Sequence, residues 1–212
     1  MGKIKQGILG GFNGTTGSVV GASWKGIAYM RGKAQSIKNP RTESQQGNRT
    51  KFGYFADVMS KAKMAVDLGF AGDTSKKSAF NSAVQANMKR ITGVLDLSVI
   101  KDVLFSKGNM QPLAGGSVTK NASVVTATFN SYSMVSEALP ICVVFAVVGD
   151  FAGSPFISTS LSNIASEASS GTETYTIPES LDVSEVHAFA FSYDEVAKNA
   201  SDTCWLGKVT IE

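Results

Sequence analysis

The sequence predicts an α+β chain in three parts. These are a Gly-rich N-terminal β arm over residues 1–36, a helical hairpin over 37–98 and a C-terminal antiparallel β-sandwich of immunoglobulin-like type over 99–212. Three observations predict it. Eight glycines from Gly7 to Gly32 separate short β-type runs. Between Pro40 and Gly93 the apolar residues recur at helical spacing. Beyond Val94 they run in short strand-like segments split by turn residues.

In the arm, Ser18–Ala22 and Ile27–Arg31 are the β-type runs, and Trp24 and Tyr29 bring large apolar area. The glycine spacing does not match a phosphate cradle. A P-loop ends in Gly-Lys-Ser/Thr and opens a helix, and here no helical pattern follows. Glycine permits close backbone approach to another surface. Short strands that cannot complete a sheet alone often pair with an edge elsewhere. The residues expected to meet a partner are therefore Gly10, Gly11, Phe12, Gly14, Gly17, Trp24, Lys25, Gly26, Tyr29 and Arg31.

Asn39-Pro40 breaks the chain and Thr42, with Gln45 three residues on, reads as a helix capping box. Phe52, Phe55, Ala56, Met59, Ala62 and Val66 give the first helix its apolar face, and Gly69 is its expected stop. A second helix is expected over Thr74–Thr92, with Ala79, Phe80, Ala83, Val84, Met88 and Ile91 as its stripe and Gly93 at its end. Two adjacent amphipathic helices imply a hairpin that buries a shared face.

From Val94 the period changes to two, with Val99, Lys101, Val103 and Phe105 alternating against Ile100, Asp102 and Leu104. Further strands are expected at Ser123–Phe129, Ile141–Val148, Phe156–Thr159, Thr174–Ile177, Val186–Tyr193 and Thr203–Ile211. Gly115-Gly116, Gly149-Asp150, Gly153-Ser154-Pro155, Ser169-Ser170-Gly171 and Asn199–Asp202 read as turns between them. About seven strands without intervening helices predict a sandwich. On the Val186–Tyr193 strand, His187, Phe189, Phe191 and Tyr193 share one face, and Ala188 and Ala190 the other.

The chain is 43% hydrophobic and 17% charged, with 21 glycines among 212 residues. The longest apolar stretch, Leu139 to Val148, is too short to span a membrane. The N-terminus lacks the apolar core of a secretory signal, so folding in the cytoplasm is expected. Cys142 and Cys204 lie in apolar, strand-like segments and are read as free thiols; an inter-sheet disulfide beside Trp205 is the alternative. One histidine and two cysteines without close ligand spacing predict no metal site. No nucleophile-elbow pattern surrounds any serine, and Asp194-Glu195 are adjacent turn residues. The expectation is therefore no enzyme, no cofactor and no small-molecule substrate.

The net charge of +3 hides an asymmetry. Residues 1–110 carry 17 Lys and Arg against 6 Asp and Glu, a net +11; residues 111–212 carry 3 against 11, a net −8. The cations are scattered and accompany no nucleic-acid-binding signature. The basic half of one subunit meeting the acidic half of a neighbour fits the pattern at least as well, since complementary fields fix register in assemblies.

The stretch GKIKQGILGGFNGTTGSVVGASWKGIAYMR, followed by NPRTESQQGNRTKF, resembles a family of uncharacterised proteins seen in Bacteroidota genomes and their phages. The shared features are the Gly-Gly-Phe-X-Gly turn, a Trp-Lys-Gly step at Trp24–Gly26 and an Asn-Pro-X-Thr helix entry at Asn39–Thr42, all within about the first 55 residues. Gly14-Thr15-Thr16-Gly17 departs from that pattern, which would place a basic residue before the second glycine. The helix entry is also similar to stretches in phage structural proteins. The resemblance carries no catalytic residues. It implies a non-enzymatic capsid- or tail-associated protein of a phage particle, anchored through its Gly-rich basic arm, bound to other protein subunits and made in the host cytoplasm. The alternative is a cell-surface or secreted sandwich module that recognises glycan or protein.

Overall fold

The computed structural model describes residues 2–3, 11–24, 26–36, 40–73, 77–91, 97–149, 155–179 and 182–211. The chain divides into two compact units, Met1–Glu43 and Ser44–Glu212.

The first unit is a four-stranded antiparallel sheet of β1 (Gly2–Lys3), β2 (Gly14–Thr16), β3 (Val19–Trp24) and β4 (Ile27–Gly32), in the order β1-β4-β3-β2. Two-residue connections join β2 to β3 and β3 to β4, fixed by the pairs Thr16↔Val19 and Trp24↔Ile27. Gly17 and Gly26 sit in them at φ +59° and +77°, which an L side chain resists. Here the glycines expected to mark a partner surface make turns.

The second unit has three layers: helices, a five-stranded sheet and a three-stranded sheet. The helices are α1 (Glu43–Lys61), α2 (Lys63–Gly69) and α3 (Ala79–Arg90). Where one helix was expected before Gly69, a break at Ala62 (φ −89°, ψ 24°) separates α1 from α2, although i→i−4 bonds at Ala62 and Val66 keep them nearly continuous. Ser78 caps α3 by accepting from the Asn81 amide at 3.2 Å; residues 74–76 and 92–96, where the helix was expected to begin and end, lie outside the described residues. Phe55 and Met59 are buried as their spacing predicts, whereas Phe52, expected on the same face, is 56% exposed.

The strand expected at Val99–Phe105 is instead a 3-10 turn over Leu97–Asp102 followed by irregular chain. Val99, Ile100 and Val103 are buried while Lys101 is exposed. That is an i, i+1, i+4 pattern, and in so short a run it also reads as alternation. The strands are β5 (Gly115–Asn121), β6 (Val124–Asn130), β7 (Leu139–Gly149), β8 (Phe156–Ile164), β9 (Ser170–Thr176), β10 (Val183–Asp194), β11 (Asn199–Ala200) and β12 (Cys204–Thr210). Expected turn residues are therefore strand at several points, with Gly149 ending β7 and Asn199-Ala200 forming β11. Gly115-Gly116 opens β5, and Ser170-Gly171 opens β9.

The large sheet runs β8-β7-β10, with β12 pairing the far edge of β10 along Glu185–Ala190 and β11 pairing it at Tyr193–Asp194. The small sheet is β5-β6-β9. Together they form a two-sheet antiparallel sandwich. β7 is buried from Ile141 to Val148 without a break, which explains its unbroken apolar sequence: both its faces are covered. Toward the helices it sends Cys142, Val144, Ala146 and Val148 into the core that holds Phe55, Met59, Phe105, Phe189 and Phe191. Toward the small sheet it sends Ile141, Val143, Phe145 and Val147 onto Val125, Ala127 and Phe129. β10 does likewise, with its aromatics on the helix side and Ala188 and Ala190 on the sandwich side.

Candidate interaction surface

Side chains alternate across a strand, so register assigns each residue of the N-terminal sheet to a face. The pairs Gly21↔Met30 and Ser23↔Ala28 lie on one face. The chain preceding β2 covers that face around Gly21 and Ala28, while Ser23 and Met30 on it are exposed. A Cβ on Gly11 would lie 2.5 Å from the Ala28 Cβ, and one on Gly21 would lie 2.6 Å from the Phe12 ring. Gly21 is glycine because the Phe12 ring occupies the space a side chain needs, and Gly21 is buried beneath it.

The other face carries the pairs Val20↔Arg31, Ala22↔Tyr29 and Trp24↔Ile27. Trp24 is 63% and Ile27 45% exposed, Val20, Ala22 and Tyr29 are half-buried, and Arg31 is exposed. Tryptophan, tyrosine and arginine, here together on one face, are the residue types that dominate binding energy at protein interfaces.

The expected site residues thus separate by role. Trp24, Tyr29 and Arg31 share the open face, Gly11 and Phe12 cover the opposite one, and Gly14 lies in β2 opposite Gly21. Gly17 and Gly26 make turns, and Gly10 and Lys25 lie outside the described residues. Sequence reasoning missed Val20, Ala22 and Ile27 as members of the open face. The signal was the two-residue spacing back from Trp24 and forward from Ile27.

In the second unit His187 is the candidate for chemistry. It is buried, its Nε2 lies 3.2 Å from Glu185 Oε2, and the Lys208 ammonium donates to Glu185 Oε1 at 2.7 Å. Burial, the larger influence, holds the imidazole below its ordinary pKa against the pull of Glu185. The hydrogen bond from Lys208 leads in holding the Glu185 carboxyl below its usual range. At neutral pH the contact is therefore a neutral Nε2–H donating to a carboxylate rather than an ion pair. His187 Nδ1 is buried with no hydrogen-bond partner among the described residues, so a second ring proton there would have no acceptor.

The pH dependence follows. Above the ordinary histidine value of 6.5 neither state takes up a proton at this ring. Below it the unfolded chain binds one and the folded chain does not, so stability falls as the pH drops from 6.5 toward the lower folded value. Urea midpoints at pH 7.5 and 5.5 check this. The wild type is expected to lose more on acidification than His187→Gln, and equal losses would show that folding does not perturb the ring.

Cys142 faces the helices, as the partner of Phe191, and Cys204 pairs with Ala190, which faces the sandwich core. The two thiols flank β10 on opposite faces of one sheet, and both are free, so the disulfide alternative is excluded. Burial pushes the Cys142 thiol up to about 12, which leaves it inert at neutral pH.

Among the described residues no group of three or more His, Cys, Asp or Glu is placed to hold a metal, and no helix is long and apolar enough to cross a membrane. A groove beside α2 and the β10–β11 turn has Leu68 and Tyr193 in its floor and Asp67, Asp194, Glu195 and Lys198 at its rim. A family model described as a family of unknown function, DUF6266, matches residues 11–207. The chain belongs to this family. The DUF6266 match begins at Gly11, within the Gly-Gly-Phe motif, and runs through β2–β4 and the sandwich to Gly207. The DUF6266 pattern therefore spans both units. No curated protein matches the chain.

Proposed function

We propose that this DUF6266 protein is a non-enzymatic structural protein that docks onto another polypeptide through the open face of its N-terminal sheet. The observation that carries the reading is the exposure of Trp24 and Ile27 side by side on a face that also holds Tyr29 and Arg31. A tryptophan and an isoleucine held side by side in water form an apolar patch that a partner can cover. The setting we propose is an assembled particle such as that of a bacteriophage, supported by the likeness of the Asn39–Thr42 helix entry to phage structural proteins and by the +11 and −8 halves of the chain.

The second reading, an immunoglobulin-like sandwich that recognises glycan or protein, is favoured by one observation: Trp205 and Tyr132 on the sandwich are 43% and 65% exposed.

Gradient sedimentation of lysates from producing cells tests the first reading. The wild type is expected in high-mass fractions, and the doubly substituted Trp24→Glu, Ile27→Glu chain in the fractions of a 22.3 kDa protein with an unchanged circular dichroism spectrum. Wild type confined to the small-protein fractions would refute the docking role. Loss of high-mass sedimentation on Trp205→Ala instead of at the N-terminal face would transfer support to the second reading.

A further inference from the structure

We infer that the partner of the open face is a second copy of this chain, which receives it in the groove beside α2 and the β10–β11 turn. The inference rests on the docking role proposed above and names its partner.

The two surfaces complement each other chemically. Residues 1–43 carry seven Lys and Arg and one Glu, a net +6, while the half of the chain beyond residue 110 is −8. The groove holds two of those carboxylates and adds Asp67 from the basic half of the chain. Asp67 on α2 and Asp194 and Glu195 at the end of β10 stand at its rim against the single ammonium of Lys198. Its floor is apolar where Leu68 and the Tyr193 ring reach it. A cavity of about 450 Å³ accommodates an indole and a neighbouring aliphatic side chain. An apolar floor inside an acidic rim suits an aromatic residue with a guanidinium beside it, which is what Trp24, Ile27 and Arg31 present. Asp194 Oδ1 already accepts from the amides of Val196 and Ala197 at 2.9 and 2.8 Å. The groove's own turn is thereby fixed, which spares the contact an ordering cost.

The face and the groove are different patches on one chain, so each copy offers one of each. Such a heterologous contact joins copies head to tail, closing a ring or extending as a chain. A contact between two copies of the same face would stop at a dimer.

Analytical ultracentrifugation of the purified full chain tests this. Mass is expected to rise above 22.3 kDa with concentration at low ionic strength. The rise should shrink at 1 M salt, where the screening length falls to about 3 Å. Trp24→Glu is expected to abolish it, and so is the double substitution Asp67→Lys, Glu195→Lys; both variants should melt at the wild-type temperature because the altered side chains are exposed and Asp194 still holds its turn. Mixing the two variants is the decisive arm. One keeps an intact groove and the other an intact face, so an equimolar mixture should form a heterodimer and grow no further.

Wild type that stays monomeric up to about 0.5 mM, beyond the micromolar dissociation expected even of weak specific interfaces, overturns the inference. So does association that survives the groove substitutions. If the pure chain is monomeric yet the cellular high-mass form persists and depends on Trp24, the docking role stands and the partner is a different polypeptide. If both disappear, both fall.

Discussion

Phe189→Ala is expected to destabilise the second unit by about 3–5 kcal/mol, the range for emptying a buried aromatic site. Phe189 is 0% exposed on the helix side of β10, in the middle of the central sheet. Its ring meets Phe105 edge to face at 5.1 Å, which ties the irregular chain after the Leu97–Asp102 turn to the sheet. The side chain is thus a contact shared by three pieces of chain far apart in sequence: the helices, the 99–105 segment and the sheet. The site cannot collapse easily, because β10 is pinned on both edges by β7 and β12. Urea unfolding checks the expectation. The midpoint should fall with an unchanged slope, and a cost below about 1 kcal/mol would show that helices and sandwich do not depend on a common core.

Asn87→Ala is expected to cost about 2–4 kcal/mol, because it removes the partners of partly buried backbone groups. Asn87 is 0% exposed on α3. Its Nδ2 donates to the Leu104 carbonyl at 2.8 Å and to the Ala83 carbonyl at 3.0 Å, while its Oδ1 accepts from the Leu104 amide at 2.8 Å. One side-chain amide thereby satisfies both backbone groups of a residue in a segment without secondary structure of its own. Thr203 does the same for the next two residues, its Oγ1 accepting from the Phe105 and Ser106 amides at 2.9 and 2.8 Å. Urea unfolding reads the cost of Asn87→Ala, and hydrogen exchange at the Leu104 amide should accelerate. An unchanged exchange rate would show that Asn87 is not the anchor.

These two positions show why the 99–105 segment was misread as a strand. Its apolar spacing suits either period over so few residues, and the deciding partners, Asn87, Thr203 and Phe189, lie from about ten to a hundred positions away. Strand β5 shows the opposite failure. Its Gly-Gly-Ser start carries little intrinsic β preference, and pairing to β6 from Gly115↔Asn130 to Asn121↔Val124 imposes the strand. The open face was half legible. The alternation that puts Trp24 and Ile27 together can be read along the chain, but Phe12 folding over Gly21 to cover the other side is a contact between nine-residue neighbours that no spacing announces.

By itself the sequence determined the run of helices followed by strands, most of the helical stripes, the apolar strand β7 and the sorting of aromatics from alanines on β10. Each of these follows from a local period or an unbroken apolar run. Only the tertiary structure decided that the helices cover the sandwich, that Cys142 and Cys204 face apart and that Trp24 and Ile27 are exposed together on one face of the N-terminal sheet. These depend on which surface meets which, and burial is a property of the meeting surfaces, set by long-range contacts that a local pattern does not encode.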